Sequence, residues 1–119
     1  NKDPVLFPHF STDLGGWARE ETLLGIEHLV FELDGDYRDF FTTRDTFVNR
    51  HLAALYGVRA PLREGFGKVT FSEDDGRRGF LGQVSFLGLN SHPAASSAVL
   101  RGHFVRTVLL CHSIPPPPV

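Results

Sequence analysis

Ser91-His92-Pro93-Ala94-Ala95-Ser96-Ser97-Ala98-Val99-Leu100-Arg101-Gly102-His103-Phe104-Val105-Arg106-Thr107-Val108-Leu109-Leu110-Cys111-His112-Ser113-Ile114 runs into Pro115-Pro116-Pro117-Pro118-Val119, and this last third reads as one helix with a stop. Ser96 or Ser97 offers a side-chain oxygen to the free amides of a first turn. The prolines forbid continuation, because proline lacks the amide hydrogen and its ring clashes with the preceding turn. Leu100, Phe104, Val108 and Cys111 recur at helical spacing on one narrow face, which predicts a core-facing stripe. Arg101, His103, Arg106 and Thr107 fall elsewhere, so the helix is amphipathic and leads into an extended polyproline tail.

Working outward, 119 residues suffice for about one domain with one core. A net charge of −2 supplies no field that would draw the chain to nucleic acid or an anionic membrane, and the apolar runs are too short for a membrane span. Eleven phenylalanines against two tyrosines and one tryptophan predict an aromatic core with few polar handles. The absence of methionine marks the chain as an excerpt or processed piece. One cysteine cannot form an internal disulfide, so it does not report the redox compartment.

Upstream, Asn1 to Phe10 reads as an extended lead-in that docks by its aromatics, and Ser11-Thr12-Asp13 as the cap of a long helix. Leu23, Ile26, Leu29, Val30, Phe31 and Leu33 make its second half so apolar that it requires cover on more than one side, and Asp34-Gly35-Asp36 ends it. A short helical turn follows at Tyr37 to Phe41. With Thr43 or Asp45 as cap, Val48, Leu52, Leu55 and Tyr56 predict a helix over Thr46 to Tyr56, and Gly57 supplies its left-handed end. Lys68 to Phe71 reads as a strand without an evident partner, and Phe80 to Leu89 as a helix weakened by Gly82 and Gly88. The expected architecture is mainly α: a small helical domain of about four helices, with a minor β element and the polyproline tail.

The candidate chemistry is sparse. His103 and His112 are nine residues apart, half a turn out of phase on a continuous helix, and no His-x3-His or His-Glu-x2-His pair occurs. Cys111-His112 resembles the end of a c-type haem motif, but Val108 occupies the place of the first cysteine, so Cys111 reads as a buried helical cysteine. Arg101-Gly102 could grip an anion; as a surface pair it needs none. Glu20-Glu21 point about 100° apart on a helix and do not form a facing acid–base pair. The Glu73-Asp74-Asp75-Gly76 run lacks the alternating carboxylates and distal glutamate of a calcium loop and reads as a solvated turn. Cys111, His112, His103, Arg101 and Gly102 are therefore structural candidates, with no catalytic, metal or cofactor-binding residue assigned.

Several segments together resemble a known arrangement. Asp3-Pro4 with Phe7-Pro8, Arg19-Glu20-Glu21-Thr22, and Thr46-Phe47-Val48-Asn49-Arg50-x-Leu52-Ala53-x-x-Tyr56-Gly57 resemble the C-terminal part of a bacterial domain of unknown function. Phe66-x-x-Val69, Arg78-Gly79-x-Leu81-x-Gln83-x-x-x-Leu87, Ser91 to Ser97, Arg101-Gly102-x-Phe104-Val105 and Leu109 to the prolines resemble the start of its companion. The pair occurs in planctomycete-type cytochrome c proteins. The resemblance divides the chain into a first-domain part at 1–58, a companion-domain start at 59–114 and a linker at 115–119. It implies export to the periplasm or beyond, with electron transfer through haem c in the full-length protein, bound after the proline tract and outside this chain. A lysine is common in the family where His103 stands, which weighs against His103 as an essential ligand. The reading is then a scaffold portion of a larger cytochrome-associated protein, its partners being neighbouring domains of the same polypeptide. Two alternatives stand beside it: a self-contained protein–protein interaction module, and a small hydrolase with a histidine-based site.

Overall fold

The structure, a computed structural model, describes residues 3, 5–8 and 10–116; Asn1, Lys2, Pro4 and His9 of the lead-in and Pro117 to Val119 of the tail lie outside the described residues. Helix α1 spans Leu14–Glu27. Asp13 occupies its cap position without a side-chain bond; the entry is instead held by Ser11, whose carbonyl accepts from the Leu14 amide at 3.1 Å and whose Oγ accepts from the Asp13 amide at 3.2 Å. The helix widens into a π-turn, His28–Glu32, where the Leu33 amide reaches back to the His28 carbonyl at 3.0 Å. Asp34, with φ 49°, and Gly35, pressed onto Leu29, end it as expected.

The predicted cover of the apolar second half is supplied only in part by the described residues: Leu29 and Val30 are half-buried beside Tyr37, Phe40 and Phe41. Leu23, Ile26 and Leu33 are exposed, and Phe31 is 80 % exposed. The short turn at Tyr37–Phe41 is a 3-10 helix capped by Asp36, and it buries Phe40.

The predicted Thr46 to Tyr56 helix is corrected in its first third. Asp45–Val48 is a strand, β1, and the helix α2 covers only Arg50–Tyr56. β1 pairs antiparallel with β2, Gly67–Thr70, in the register Asp45 to Thr70 and Val48 to Gly67. The strand read at Lys68 to Phe71 thus has a partner, in residues whose period-two alternation places Thr46 and Val48 inward. The cap of α2 is Asn49, whose side chain accepts from the amides of His51 at 3.1 Å and Leu52 at 2.9 Å. Gly57 closes the helix at φ 70°, as predicted. Val48, Leu52 and Ala53 form the fully enclosed centre, with Leu14, Trp17, Phe66, Val69 and Val84 packed around it.

The helix read from Phe80 to Leu89 is broken in two. A 3-10 turn, Phe80–Gly82, is separated by the extended Gln83 from α3, Val84–Leu89. Gly79 must precede this turn: its φ is 55°, and a Cβ there would lie 2.3 Å from the Phe41 carbonyl carbon.

The last helix, α4, spans Ala98–Phe104 with Ser97 as cap, and a π-turn, Val105–Leu109, extends it. The core stripe predicted there is corrected. The helix ends before Cys111, and the π-turn throws later residues out of the α-helical phase. Leu100 and Val108 are exposed, and Cys111 is an exposed free thiol at φ 53°. The tail beyond has no regular structure through Pro116. The helix-dominated architecture with a minor β element is as expected, and among the described residues no helix is long and apolar enough to cross a membrane.

Candidate functional site

The residues singled out near the C-terminus are not drawn into one site. Arg101 turns its Nε back onto the Ser97 carbonyl at 3.2 Å, Gly102 faces open space, and the His103 carbonyl accepts from Thr107 Oγ1 at 2.8 Å. Beyond the helix, the His112 amide donates to the Arg106 carbonyl at 2.9 Å. The half-turn phase relation between His103 and His112 does not apply, because His112 follows the helix rather than belonging to it. Among the described residues no group of three His, Cys, Asp or Glu side chains could hold a metal ion. Cys111, the chain's one cysteine, is exposed at φ 53°, and Val108 stands where the first cysteine of a Cys-x-x-Cys-His motif would be.

The structure concentrates its polar chemistry elsewhere, beneath α1. Leu14, Trp17, Ala18 and Glu21 recur at i, i+3, i+4 and i+7, so the face that delivers Leu14 and Trp17 to the core also delivers a carboxyl group. Glu21 is fully buried while its neighbour Glu20 is exposed, in keeping with their 100° separation. Thr46, inward on β1, donates to Glu21 Oε1 at 2.6 Å. Tyr56, the last residue of α2, donates to Glu21 Oε2 at 2.7 Å and its hydroxyl oxygen accepts from the Val84 amide at 2.8 Å. That amide opens α3 and would otherwise be one of the helix's unpaired donors.

Arg77 completes the surroundings. Its guanidinium carbon lies 4.9 Å from the centre of the Tyr56 ring, and its Nη1 donates to the Gly82 carbonyl at 3.1 Å. Burial pushes the Glu21 carboxyl up to about 7, against the opposing pull of the Thr46 and Tyr56 hydrogen bonds and the Arg77 charge. Burial, and then the adjacent Glu21, push the Tyr56 phenol well above its ordinary range. Tyr56 therefore acts as a neutral donor and strut, and Glu21 is the group that can take up or release a proton near neutral pH.

A second polar crossing runs alongside. Thr22 Oγ1 lies 2.8 Å from Gln83 Oε1 and 2.8 Å from Ser85 Oγ. The Ala18 carbonyl lies 3.1 Å from the same oxygen; a hydroxyl has one proton, which Thr22 gives to Gln83 or to Ala18, so in the remaining contact Ser85 donates to Thr22. An apolar groove of about 970 Å³ adjoins these contacts, lined by Phe7, Phe10, Leu14, Leu55 and Leu87 together with Thr22, Tyr56 and Ser85.

Sequence reasoning missed Glu21 as a centre because it weighed the residue only against Glu20. The available signal was its place in the Leu14–Trp17–Ala18 stripe: a carboxyl in an apolar stripe must find donors or remain protonated.

Residues 1–58 match the family model PSD4, a protein of unknown function (DUF1592), and residues 77–119 match PSCyt3, a protein of unknown function (DUF1588). These are the paired bacterial domains that the sequence resembles. No curated protein and no solved structure matches the chain.

Proposed function

We propose that this chain, which belongs to the paired PSD4 and PSCyt3 domains of unknown function, is a scaffold portion of a larger exported bacterial protein associated with c-type cytochrome. One observation carries the reading: the two matched segments are interlocked through buried contacts. Glu21, Thr46 and Tyr56 belong to the first match, and Val84, held by the Tyr56 hydroxyl, belongs to the second. Thr22 meets Gln83 and Ser85 across the same border, and Phe40 and Phe41 both meet the Phe80 ring. The Gly79 amide donates to the Thr43 carbonyl at 2.7 Å. A seam of this kind fixes the relative position of two domains, which is a scaffold's task.

In this reading 1–58 is the end of the first domain, 59–114 the start of the second and 115–119 a linker. The exposed Phe31, Leu33, Val99 and Val108 offer apolar surface to neighbouring domains of the same polypeptide. Haem c is held by adjoining sequence, in the periplasm or outside the cell, and the cytochrome label in the name PSCyt3 supports that assignment. The test is to purify the longest natural protein containing this chain from an exporting bacterial host and record its absorption spectrum after denaturation. Covalently retained haem is the expected result; a protein without it overturns the cytochrome assignment.

A further inference from the structure

Among the described residues, Glu21 is the only carboxyl buried at the seam, and the two hydrogen bonds to its side chain both come from neutral hydroxyls. No ion pair to Glu21 occurs among the described residues. From β1 the facing group is Thr46, while the ionisable Asp45 of that strand pairs outward with Lys68 at 3.8 Å. From α2 it is Tyr56; His51 of the same helix is exposed and stacks on Trp17 with ring centres 4.2 Å apart. The segment ahead of the 3-10 turn contributes Arg77, whose guanidinium is engaged with the Gly82 carbonyl and the Tyr56 ring. Helix α3 carries no ionisable side chain.

We propose that Glu21 is a proton-operated latch on the seam between the two matched segments: protonated, it keeps the Tyr56–Val84 strap closed, and on ionisation it favours opening of the strap to water. The physical basis is the cost of holding a bare carboxylate away from water with two hydroxyl donors and no ion pair, a cost that the nearby Arg77 charge offsets only in part. When the seam opens, water solvates the carboxylate and the cost is relieved. In the closed form the proton sits on Glu21 Oε1 and the Thr46 hydroxyl 2.6 Å away turns to accept it, while Tyr56 still donates to Oε2; on opening that proton passes to solvent, and on closure it returns, with no other species transferred. The sign follows from burial: the closed form holds the proton more tightly than the open form, so closure is favoured at low pH and weakens as pH rises toward about 7. Above that value both forms are ionised and the dependence levels off. The inference rests on the interlocked seam and not on haem, so the haem spectrum and the experiment below can fail independently.

The Val84 amide is the natural reporter, because its exchange with solvent deuterium requires the strap to open. In the full chain, the protection of Val84, corrected for intrinsic exchange, is expected to fall by about a hundredfold between pH 5 and pH 8. Glu21→Gln keeps the shape and removes the titration, so the protection of Val84 should become independent of pH. A wild-type protection that stays flat, or a fall that persists in Glu21→Gln, overturns the latch. Should that variant fail to fold, the side-chain carbonyl resonance of Glu21 in the wild-type chain decides: titration near 7 supports the latch, and titration in the ordinary glutamate range overturns it.

Discussion

Tyr56 gives its one hydroxyl proton to Glu21 and receives the amide proton of Val84 on the same oxygen, at 2.7 and 2.8 Å. A single atom thus satisfies a buried carboxyl on α1 and the first amide of α3. Phenylalanine at position 56 would preserve the ring packing against Phe71, whose centre is 5.4 Å away, and remove only that atom. Leaving both a buried acceptor and a buried donor short of a partner costs about 1–3 kcal/mol. Tyr56→Phe should lower the unfolding free energy by that amount, read as a lower urea midpoint at an unchanged slope.

The pH dependence of stability has a definite sign. Glu21 moves from an ordinary value of 4.5 to about 7 in the folded chain, so between those values the folded form holds a proton that the unfolded form has lost. Its contribution is complete below pH 4.5 and is lost as pH rises through 7, about 3 kcal/mol in all. The wild-type curve minus that of Glu21→Gln, measured by urea unfolding from pH 4 to pH 9, should fall across that window and then flatten.

Two left-handed glycines separate strain from collision. Gly57, at φ 70°, has open space where a Cβ would stand, so Gly57→Ala should cost about 1 kcal/mol. At Gly79, φ 55°, an added Cβ would lie 2.3 Å from the Phe41 backbone, so alanine there must push the Tyr37–Phe41 turn away from Phe80. Gly79→Ala should cost more than about 3 kcal/mol or abolish cooperative thermal unfolding.

The caps of α1 and α2 differ in the same testable way. Asn49→Ala removes an acceptor that serves two amides, for a loss of about 1–2 kcal/mol. Asp13→Ala at the start of α1 should change the denaturation midpoint little, because that side chain makes no cap bond.

Local chemistry made several elements legible. The Ser97 cap, the left-handed stop at Gly57, the Asp34-Gly35 ending and the short Tyr37–Phe41 turn all lie where residue type alone decides. The misreadings arose where a distant partner decides. Val48 fits a helical stripe with Leu52 and Leu55, but β2, about twenty residues onward, offers backbone bonds that a helix would forgo. The stripe that would bury Cys111 assumes 3.6 residues per turn, and the π-turn at Val105–Leu109 breaks that count. Glu21 carries its own sign in the sequence as a carboxyl on an apolar face, whereas Thr46, Tyr56 and Val84 come together only in three dimensions.

The chain between α2 and β2 passes through the exposed stretch Pro61 to Gly65, which includes a tryptic site at Arg63. On the near side of that site lie α1, β1 and α2; on the far side lie β2 and α3, bound to them by strand pairing, the Tyr56 strap and the Phe80 ring contacts. The covalent link is therefore redundant once folding is complete. A chain nicked after Arg63 should still elute from a sizing column as one particle, and the two pieces expressed separately should complement each other, as the halves of a split protein do.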